Sequence, residues 1–315
     1  MRRTFLLGLF VVLLAFTAGP DLFTIQANQS YEVVHGWPQL PEGFALGQTT
    51  GVEVDSKNRV LVFHRGQRPI LAFDGKTGKL LASFGEGLFG SAHGLTVDHD
   101  DNIWVTDASR HTVHKFSPDG KLLMSLGAAD VPGIDGSHFN RPTDAAIAPN
   151  GDIYVSDGYG NRRIVQLNSS GEFIRDWGTA GSAQGQFIDP HGLTLDEAGN
   201  VYVADRGNSR IQVFTKDGKF IKEWKSKELG RPWGLDIDSK RFLFVADGGD
   251  LNPQPPERNR ILKLDLDGKI LEAWGSFGSY DGQFYWAHDV AAGDDGAVYV
   301  TDVNVGMRVQ KFVKP

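Results

Sequence analysis

Three histidines stand at one position of a recurring pattern, in the type and number that a divalent metal site requires. His93, His191 and His288 each directly precede a short apolar segment. The intervening repeats place other residues at this position, namely Thr50, Thr143 and Trp233. One histidine in such a place is more often structural, but three in alternate repeats can form a facial ligand set. Such a set leaves a fourth position for water or substrate, as in catalytic zinc sites, so we predict that zinc binds here.

Further reactive side chains follow the second segment of three repeats. Most repeats end this segment with Val-x-Asp, as in Val245-Ala246-Asp247, and the aspartate is predicted to cap the loop that follows. The first, third and fourth repeats add residues of their own, which are Arg65, Tyr159 and Arg206. Each could pack within its loop, or could contribute a cation or a phenol to chemistry beside the histidines.

One carboxylate is adjacent to a histidine of the predicted metal site. Asp289 follows His288 and replaces a glycine that four repeats carry at this position. A carboxylate there can orient the histidine, bind a second cation or act as a base, and the residues alone do not choose among these roles. Asp144 makes the same replacement in the third repeat, where we favour a structural role.

The elements that must position these residues are the short strands of a repeat. Apolar segments begin at residues 51, 94, 144, 192, 234 and 289, and each is followed by further segments with period-2 alternation and by tight turns. Four strands per unit of about 40–50 residues are typical of a propeller blade. We therefore predict an all-β fold, a six-bladed β-propeller, in which the first strand of each blade lines the central channel. The three histidines would then lie about 120° apart and face the axis.

The outer strand of the last repeat must come from elsewhere in the chain, because this repeat supplies only three strands before Pro315. Residues 31–38 are apolar, aromatic and β-branched, like the other fourth strands. We predict that this N-terminal segment completes blade six and closes the ring. Closure would remove the free sheet edges, which are otherwise an aggregation hazard.

The first residues have the layout of a secretory signal peptide. Arg2 and Arg3 precede an apolar stretch over residues 5–16, and small residues follow at 17–19. We predict a signal peptide over residues 1–19 and one catalytic propeller domain over residues 20–315, with an uncleaved anchor as the alternative. This implies a secreted or periplasmic protein that has no stable membrane insertion after cleavage.

The composition excludes some sites and partners. The chain contains no cysteine, so thiolate ligands and cysteine nucleophiles are excluded. Its formal net charge of −7 argues against nucleic acid as a partner, because nucleic-acid binding needs a basic face. We expect a monomer.

The repeat resembles the NHL repeat, and the blade-specific departures from it resemble peptidyl-α-hydroxyglycine α-amidating lyase. The second resemblance extends from about residue 40 to residue 313. The matching segments include Phe63-His64-Arg65-Gly66, His93-Gly94-Leu95, Val155-Ser156-Asp157-Gly158-Tyr159, Ala204-Asp205-Arg206 and His288-Asp289. Because these residues are specific to single blades, they carry more weight than the repeat itself.

The resemblance implies a metal-dependent lyase that cleaves peptidyl-α-hydroxyglycine to a peptide amide and glyoxylate. The expected substrate is a small peptide or another N-acyl-α-hydroxyglycine. No copper monooxygenase segment is present, so only this second step of amidation is expected. Zinc is implied on His93, His191 and His288. A structural calcium ion is also implied, and its matching ligands are the carbonyl groups of Val52 and Leu95 and the carboxylate of Asp289.

The catalytic groups that the resemblance implies are one tyrosine and two arginines, which match Tyr159, Arg65 and Arg206. Tyr159 would accept the hydroxyl proton of the substrate, and one arginine would hold the substrate carboxylate; the residues do not show which one. Asp289 is a further catalytic candidate. Gly160 departs from the animal enzymes, which carry a cysteine there, and the loop after Arg65 is short. Both departures bear on substrate preference.

Two other functions remain open at this point. A lactonase-like propeller hydrolase would also bind a metal ion, but such enzymes usually hold calcium on Glu, Asp and Asn rather than on three histidines. A non-catalytic NHL-type binding propeller would explain the fold but not the histidines.

Overall fold

Six four-stranded antiparallel sheets form the blades of a β-propeller. The computed structural model describes residues 31–249 and 258–315, so the predicted signal peptide over residues 1–19 lies outside the described residues. The prediction of an all-β, six-bladed propeller is confirmed. Within the described ranges, no helix has the length and apolar character needed to cross a membrane.

The strands follow one another blade by blade, with the innermost strand of each blade first. One short strand precedes the blades, β1 (Glu32–Val33). Blade one contains β2 (Thr49–Val54), β3 (Arg59–His64), β4 (Ile70–Asp74) and β5 (Leu80–Phe84). Blade two contains β6 (Ala92–Val97), β7 (Ile103–Asp107), β8 (Thr112–Phe116) and β9 (Leu122–Leu126). Blade three contains β10 (Asp144–Ile147), β11 (Ile153–Asp157), the one-turn helix α1 (Gly158–Asn161), β12 (Arg163–Leu167) and β13 (Phe173–Trp177).

The second half of the ring repeats this order. Blade four contains β14 (Pro190–Leu195), β15 (Val201–Asp205), a 3₁₀ turn (Arg206–Asn208), β16 (Arg210–Phe214) and β17 (Phe220–Trp224). Blade five contains β18 (Pro232–Ile237), β19 (Leu243–Asp247), β20 (Arg260–Leu264) and β21 (Ile270–Trp274). A short parallel pair follows, β22 (Ser276–Phe277) and β23 (Gln283–Phe284). Blade six contains β24 (Ala287–Ala292), β25 (Val298–Asp302) and β26 (Arg308–Val313).

The hydrophobic core lies between adjacent blades. One cluster joins Phe63 and Ile70 of blade one to Leu95 and Phe116 of blade two, and similar clusters join other neighbouring blades. The middle strands are buried on both faces and are therefore nearly continuous apolar runs. The outermost strands are half-exposed, because each forms the edge of its blade. Burial of each large apolar side chain contributes about 1.5–3 kcal/mol, so the blade-to-blade contacts supply most of the stability.

Irregular pairing occurs at the channel mouth, the position occupied in the six blades by Thr50, His93, Thr143, His191, Trp233 and His288. Five inner strands start two residues before the predicted position, and in each the pairing register shifts across the mouth residue. Only β10 of blade three pairs regularly and begins after its mouth residue. A β-bulge redirects the side chain of the bulged residue. The bulges, which the repeat pattern did not predict, therefore help to orient the three histidines.

The N-terminal segment closes the ring, as predicted. Strand β1 pairs with β26, with Glu32 opposite Val313 and Val33 opposite Phe312. Fewer residues pair than the predicted segment over residues 31–38 contains. The chain then continues towards blade one, where the buried Trp37 packs against Tyr299 of blade six, with ring centroids 4.9 Å apart, and against Phe73 of blade one. The segment thus contacts both blades that meet at the closure.

Deleting this segment should destabilise the protein. We expect that a chain starting at Pro38 melts about 10 °C lower than a chain starting at Tyr31, because it loses the outer strand of blade six and the packing of Trp37. Differential scanning calorimetry of the two proteins measures this. Equal melting temperatures would show that β1 does not hold the ring together.

Candidate metal and catalytic site

The three histidines meet at the channel mouth. The candidate ligand atoms of His93, His191 and His288 all lie within 4.8 Å of one another. Their ring centroids are 4.7 to 4.9 Å apart, so the cluster is nearly equilateral. No more than 4% of any of the three residues is exposed. The chain thus brings together three nitrogen ligands that can hold one metal ion.

Each histidine is oriented by the next blade. The Nδ1–H group of His93 donates to the carbonyl of Thr143 over 2.6 Å. His191 donates in the same way to Trp233 over 3.1 Å, and His288 to Thr50 over 2.6 Å. Because a carbonyl only accepts, these bonds fix the proton on Nδ1 and leave Nε2 as the ligand atom.

Burial lowers the pKa of all three histidines. Desolvation is the largest cause, and neighbouring positive charges lower these pKa values further. The pKa of His288 falls to about 3. The neutral imidazoles that result are the form that binds metal ions. The Nε2 atom of His191 is buried and has no hydrogen-bond partner among the described residues, as expected of a metal ligand.

Tyr159 contacts this cluster from the loop of blade three. Its hydroxyl lies 2.9 Å from the Nε2 of His93. The residue belongs to helix α1, whose backbone is anchored by bonds from Tyr159 and Gly160 to the carbonyls of Arg141 and Asn140, at 3.3 and 2.9 Å. A Cβ atom at Gly160 would collide with Asn140. The close approach of these two loops therefore favours glycine at position 160.

Arg206 approaches Tyr159 from blade four. Its NH1 group donates to the Tyr159 hydroxyl over 3.3 Å, and its NH2 group lies 3.5 Å from a carboxylate oxygen of Asp189. The guanidinium carbon is 5.2 Å from the centre of the Tyr159 ring and 4.5 Å from the Trp233 ring. The residue is buried. A buried cation thus lies next to the phenol oxygen.

Arg65 lies at the edge of the mouth in blade one. Its Nε group donates to the carbonyl of Ala92, the residue before His93, over 3.1 Å, and its NH1 group donates to the Gln48 side chain over 2.6 Å. Arg65 is exposed, and no described residue accepts a hydrogen bond from its NH2 group. An incoming anion can therefore reach it.

The aspartates at the ends of the second strands hold the loops before the inner strands as well as the loops that follow. Asp157 accepts the backbone N–H of Asn140 over 2.7 Å, and Asp205 accepts that of Ile188 over 3.0 Å. In blade one, His64 takes this place, because its Nδ1 accepts the N–H of Gly47 over 3.0 Å. The repeat pattern did not predict this role for His64. Burial lowers the pKa of His64, which keeps its Nδ1 available as an acceptor.

Four carboxylates line the channel below the histidines. Asp289 accepts the backbone N–H of Val52, in the next blade, over 3.1 Å. Asp144 and Asp236 likewise accept N–H groups of neighbouring blades, at 2.9 and 2.8 Å. Glu53 is the fourth. Among the described residues, Asp289 makes no hydrogen bond with Tyr159. The structure thus brings Asp289 to the other channel acids.

Burial raises the pKa of all four channel acids. It raises the pKa of Asp144 to about 7 and that of Asp236 to about 6. The pKa values of Glu53 and Asp289 are also raised well above their usual range, first by burial and then by the charges of the other acids. Val52 and Leu95, whose carbonyl groups are expected at a calcium ion, lie in adjacent inner strands beside these acids. An oxygen-rich channel of mutually repelling carboxylates suits a hard cation such as calcium.

Sequence reasoning did not select Glu53, Asp236, Trp233 or Arg141 as functional residues. Arg141 lies with its guanidinium carbon 5.0 Å from the centre of the Tyr159 ring. Glu53 and Asp236 share one signal that could have revealed them, because both are acids inside an apolar inner strand. Trp233 also had a signal, because it stands where the other five blades carry threonine or histidine, whereas Arg141 had none.

Comparison with known proteins places the chain among NHL-repeat proteins. The NHL repeat family matches residues 89–116, 139–167, 187–214 and 284–312. The chain is 37% identical over 313 residues to peptidyl-glycine alpha-amidating monooxygenase B of Xenopus laevis, covering 88% of this chain and 35% of that protein. It is 33% identical to peptidyl-alpha-hydroxyglycine alpha-amidating lyase 1 of Drosophila melanogaster, covering 91% of this chain and 60% of that protein. The chain thus spans about a third and three fifths of these relatives.

The fold is also similar to that of a solved structure titled streptogramin B lyase. The TM-score is 0.62 at 16% identity, with 86% of this chain and 94% of that chain covered. At this identity the similarity concerns the fold alone, and it agrees with the propeller described above.

Removal of one histidine should abolish metal binding. We expect about one zinc ion per purified chain, and its loss in His93→Ala, His191→Ala and His288→Ala, because two imidazoles cannot complete the site. Elemental analysis of the dialysed proteins measures this. His99→Ala, which removes an exposed histidine, should keep the metal ion. A wild-type protein without metal, or full metal content in all three variants, would contradict the site.

The channel acids predict a specific pH dependence in protein stripped with a chelator. A carboxyl group whose pKa rises on folding from 3.8 to about 6, as for Asp236, destabilises the native state progressively across that interval. The melting temperature of Asp236→Asn minus that of the wild type should therefore increase between about pH 4 and pH 6 and then stay level. Asp267→Asn, at an exposed carboxylate, should give a flat difference. A flat difference for Asp236→Asn as well would contradict the predicted effect of burial on the pKa of Asp236.

Proposed function

The chain belongs to the group of NHL-repeat proteins homologous to peptidyl-α-hydroxyglycine α-amidating lyase, and from this premise we propose that it catalyses the same type of reaction. The substrate is a peptide or another acyl group with a C-terminal α-hydroxyglycine, and the products are the amide and glyoxylate. The observation that carries the proposal is the Tyr159 hydroxyl, which lies against both His93 and Arg206 at the mouth of the channel.

The reaction is an elimination that consumes no water. The hydroxyl of the α-hydroxyglycine loses its proton, its oxygen forms the carbonyl of glyoxylate, and the bond from the α-carbon to the amide nitrogen breaks. The nitrogen keeps the bonding electrons and takes up one proton to become the primary amide. The site therefore needs a base for the hydroxyl, stabilisation of the oxygen charge and a grip on the carboxylate.

Tyr159 is the proposed base. Its oxygen lies where His93 and Arg206 converge, and the positive guanidinium of Arg206 stabilises a deprotonated phenol. The proton that Tyr159 takes from the hydroxyl can be passed to the departing amide nitrogen. Tyrosine then needs no outside proton donor, which is consistent with a reaction that has no net uptake of protons.

Arg65 is the proposed partner of the substrate carboxylate. Arg206 is buried and already contacts Tyr159 and Asp189. Arg65 is exposed at the mouth, with two of its groups fixed by Ala92 and Gln48. Fixed in this way, its remaining N–H groups can donate to a carboxylate at little further entropic cost.

Zinc is the proposed metal of the three histidines, because neutral imidazole nitrogens from a closed protein cluster suit it. When bound, zinc would supply a Lewis acid that lowers the pKa of a hydroxyl oxygen. We also propose calcium among the channel carboxylates, with the carbonyls of Val52 and Leu95. We propose Asp289 for this cation rather than for proton transfer, because its carboxylate accepts from Val52 and, among the described residues, makes no hydrogen bond with Tyr159.

The remaining proposals rest on the sequence. We propose residues 1–19 as a signal peptide and residues 20–315 as the catalytic domain, in a secreted or periplasmic monomer. The chain contains no cysteine, but an exported protein with a core of this size is stable without disulfides.

Tyr159→Phe tests the proposed reaction. The purified wild type should release glyoxylate from an N-acyl-α-hydroxyglycine, and Tyr159→Phe should lower kcat by roughly 10²–10⁴, the usual contribution of a positioned acid or base. Metal content and melting temperature should stay near the wild-type values, because the variant loses one oxygen at a loop position. A colorimetric assay of glyoxylate measures the rate.

Tyr154→Phe is the matched control. This tyrosine is in blade three as well, but its hydroxyl donates to the carbonyl of Lys216, away from the histidines. It should keep nearly full activity. No glyoxylate from the wild type would refute the proposed function, and near-native turnover of Tyr159→Phe would refute the role of the phenol alone.

A further inference from the structure

Trp233 is the exception among the six residues of the channel mouth. Three of these residues are histidines and two are threonines. Thr50, Thr143 and Trp233 all use their backbone carbonyls to accept from a histidine of the preceding blade. Threonine fulfils this role in blades one and three, so the carbonyl bond does not explain why blade five carries an indole.

The indole packs on Arg206. The guanidinium carbon lies 4.5 Å from the centre of the Trp233 ring and 5.2 Å from the centre of the Tyr159 ring. Only 4% of Trp233 is exposed. Its ring also makes edge contacts with His191 and His288, at 5.3 and 5.6 Å between centroids. The guanidinium is therefore placed between two aromatic rings, one from blade three and one from blade five.

Polar contacts alone hold Arg206 weakly. Its bond to the Tyr159 hydroxyl is long, at 3.3 Å, and its ion pair with Asp189 spans 3.5 Å. Its Nε atom is buried and has no hydrogen-bond partner among the described residues. A desolvated guanidinium with so few short hydrogen bonds depends on the aromatic faces for its orientation, and a cation–π contact is strongest on tryptophan and when desolvated.

We propose that Trp233 is a positioning residue, whose indole holds the guanidinium of Arg206 against the hydroxyl of Tyr159. This inference rests on the proposed function for its effect on rate, but the contact itself can be tested without activity. The indole acts only through Arg206. It should therefore affect kcat, which depends on Tyr159, more than KM, which depends on the carboxylate contact of Arg65.

Trp233→Thr is the direct test, because threonine is the residue that blades one and three carry at this position. We expect kcat for α-hydroxyglycine cleavage to fall about tenfold, the effect of one desolvated cation–π contact, with KM changed less than twofold. Metal content should be unchanged. Trp233→Phe should recover most of the rate, because phenylalanine keeps an aromatic face. Trp177→Thr, at an indole that contacts Phe214 and Tyr154 instead, should keep the wild-type kcat.

A double-mutant cycle separates action through Arg206 from a general loss of packing. Arg206→Lys keeps the charge but loses the planar stack, and Trp233→Thr should lower kcat no further in that background. Multiplying effects in the double variant would overturn the proposal. A loss of metal in Trp233→Thr that matches the loss of rate would also overturn it, because the indole would then act through the histidines.

The contact can also be tested without an activity assay. The measurement is the Nε–H signal of Arg206 in NMR spectra of ¹⁵N-arginine-labelled protein, assigned by its loss in Arg206→Lys. In the wild type the indole ring current should shift this proton, and burial should slow its exchange with water. Both effects should disappear in Trp233→Thr and remain in Trp177→Thr. If Trp233→Thr does not fold, Trp233→Phe takes its place, and both effects should then be weaker than in the wild type. An unchanged signal would overturn the stack. If the wild type has no lyase activity, the proposed function is refuted, but the arginine spectra still test the contact between Trp233 and Arg206.

Discussion

The hydrogen bond from each mouth histidine to the next blade is the interaction on which the site depends. It is repeated three times around the ring, from blades two, four and six to blades three, five and one. Each bond fixes one imidazole tautomer and joins two inner strands. The metal-binding geometry and the closure of the propeller therefore share the same contacts, so a change in blade spacing would move all three Nε2 atoms. Blades six and one are neighbours in the ring but come from opposite ends of the chain. The N-terminal strand β1 and Trp37 reinforce the contact between these two blades.

Charge is separated along the channel in three levels. Arginines lie at the mouth, neutral histidines follow, and four carboxylates lie below. The histidines and the carboxylates are buried, and desolvation moves their pKa values towards the neutral form. Cations among the histidines and carboxylates would compensate the cost of this burial. The same separation keeps the carboxylates away from Tyr159, which leaves the phenol among positive groups, where a basic oxygen is most useful.

The repeat fixes the loops of each blade with few recurring contacts from its own residues. An aspartate at the end of the second strand fixes both neighbouring loops, and in blades three and four these loops carry Tyr159 and Arg206. Blade one uses His64 for the same backbone contact. One consequence is that functional residues can differ from blade to blade while the backbone of the loops stays nearly constant. The proposed catalytic groups are therefore departures from the repeat, carried by loops that the repeat holds in place.

The sequence by itself determined the propeller, the number of blades, the closure by the N-terminal segment and the three histidines in alternate blades. These features depend on local alternation and on a repeat whose period is visible along the chain. The bulges at the mouth, the channel carboxylates Glu53 and Asp236, and the stack of Trp233 on Arg206 were decided only by the tertiary structure. The bulges are shifts of pairing within a blade, whereas the carboxylate cluster and the stack depend on distances between blades, whose starts lie about 40–50 residues apart in the chain, and no local pattern encodes such distances. Blades three, four and five had to pack side by side before an indole of blade five and a phenol of blade three could meet on one guanidinium of blade four.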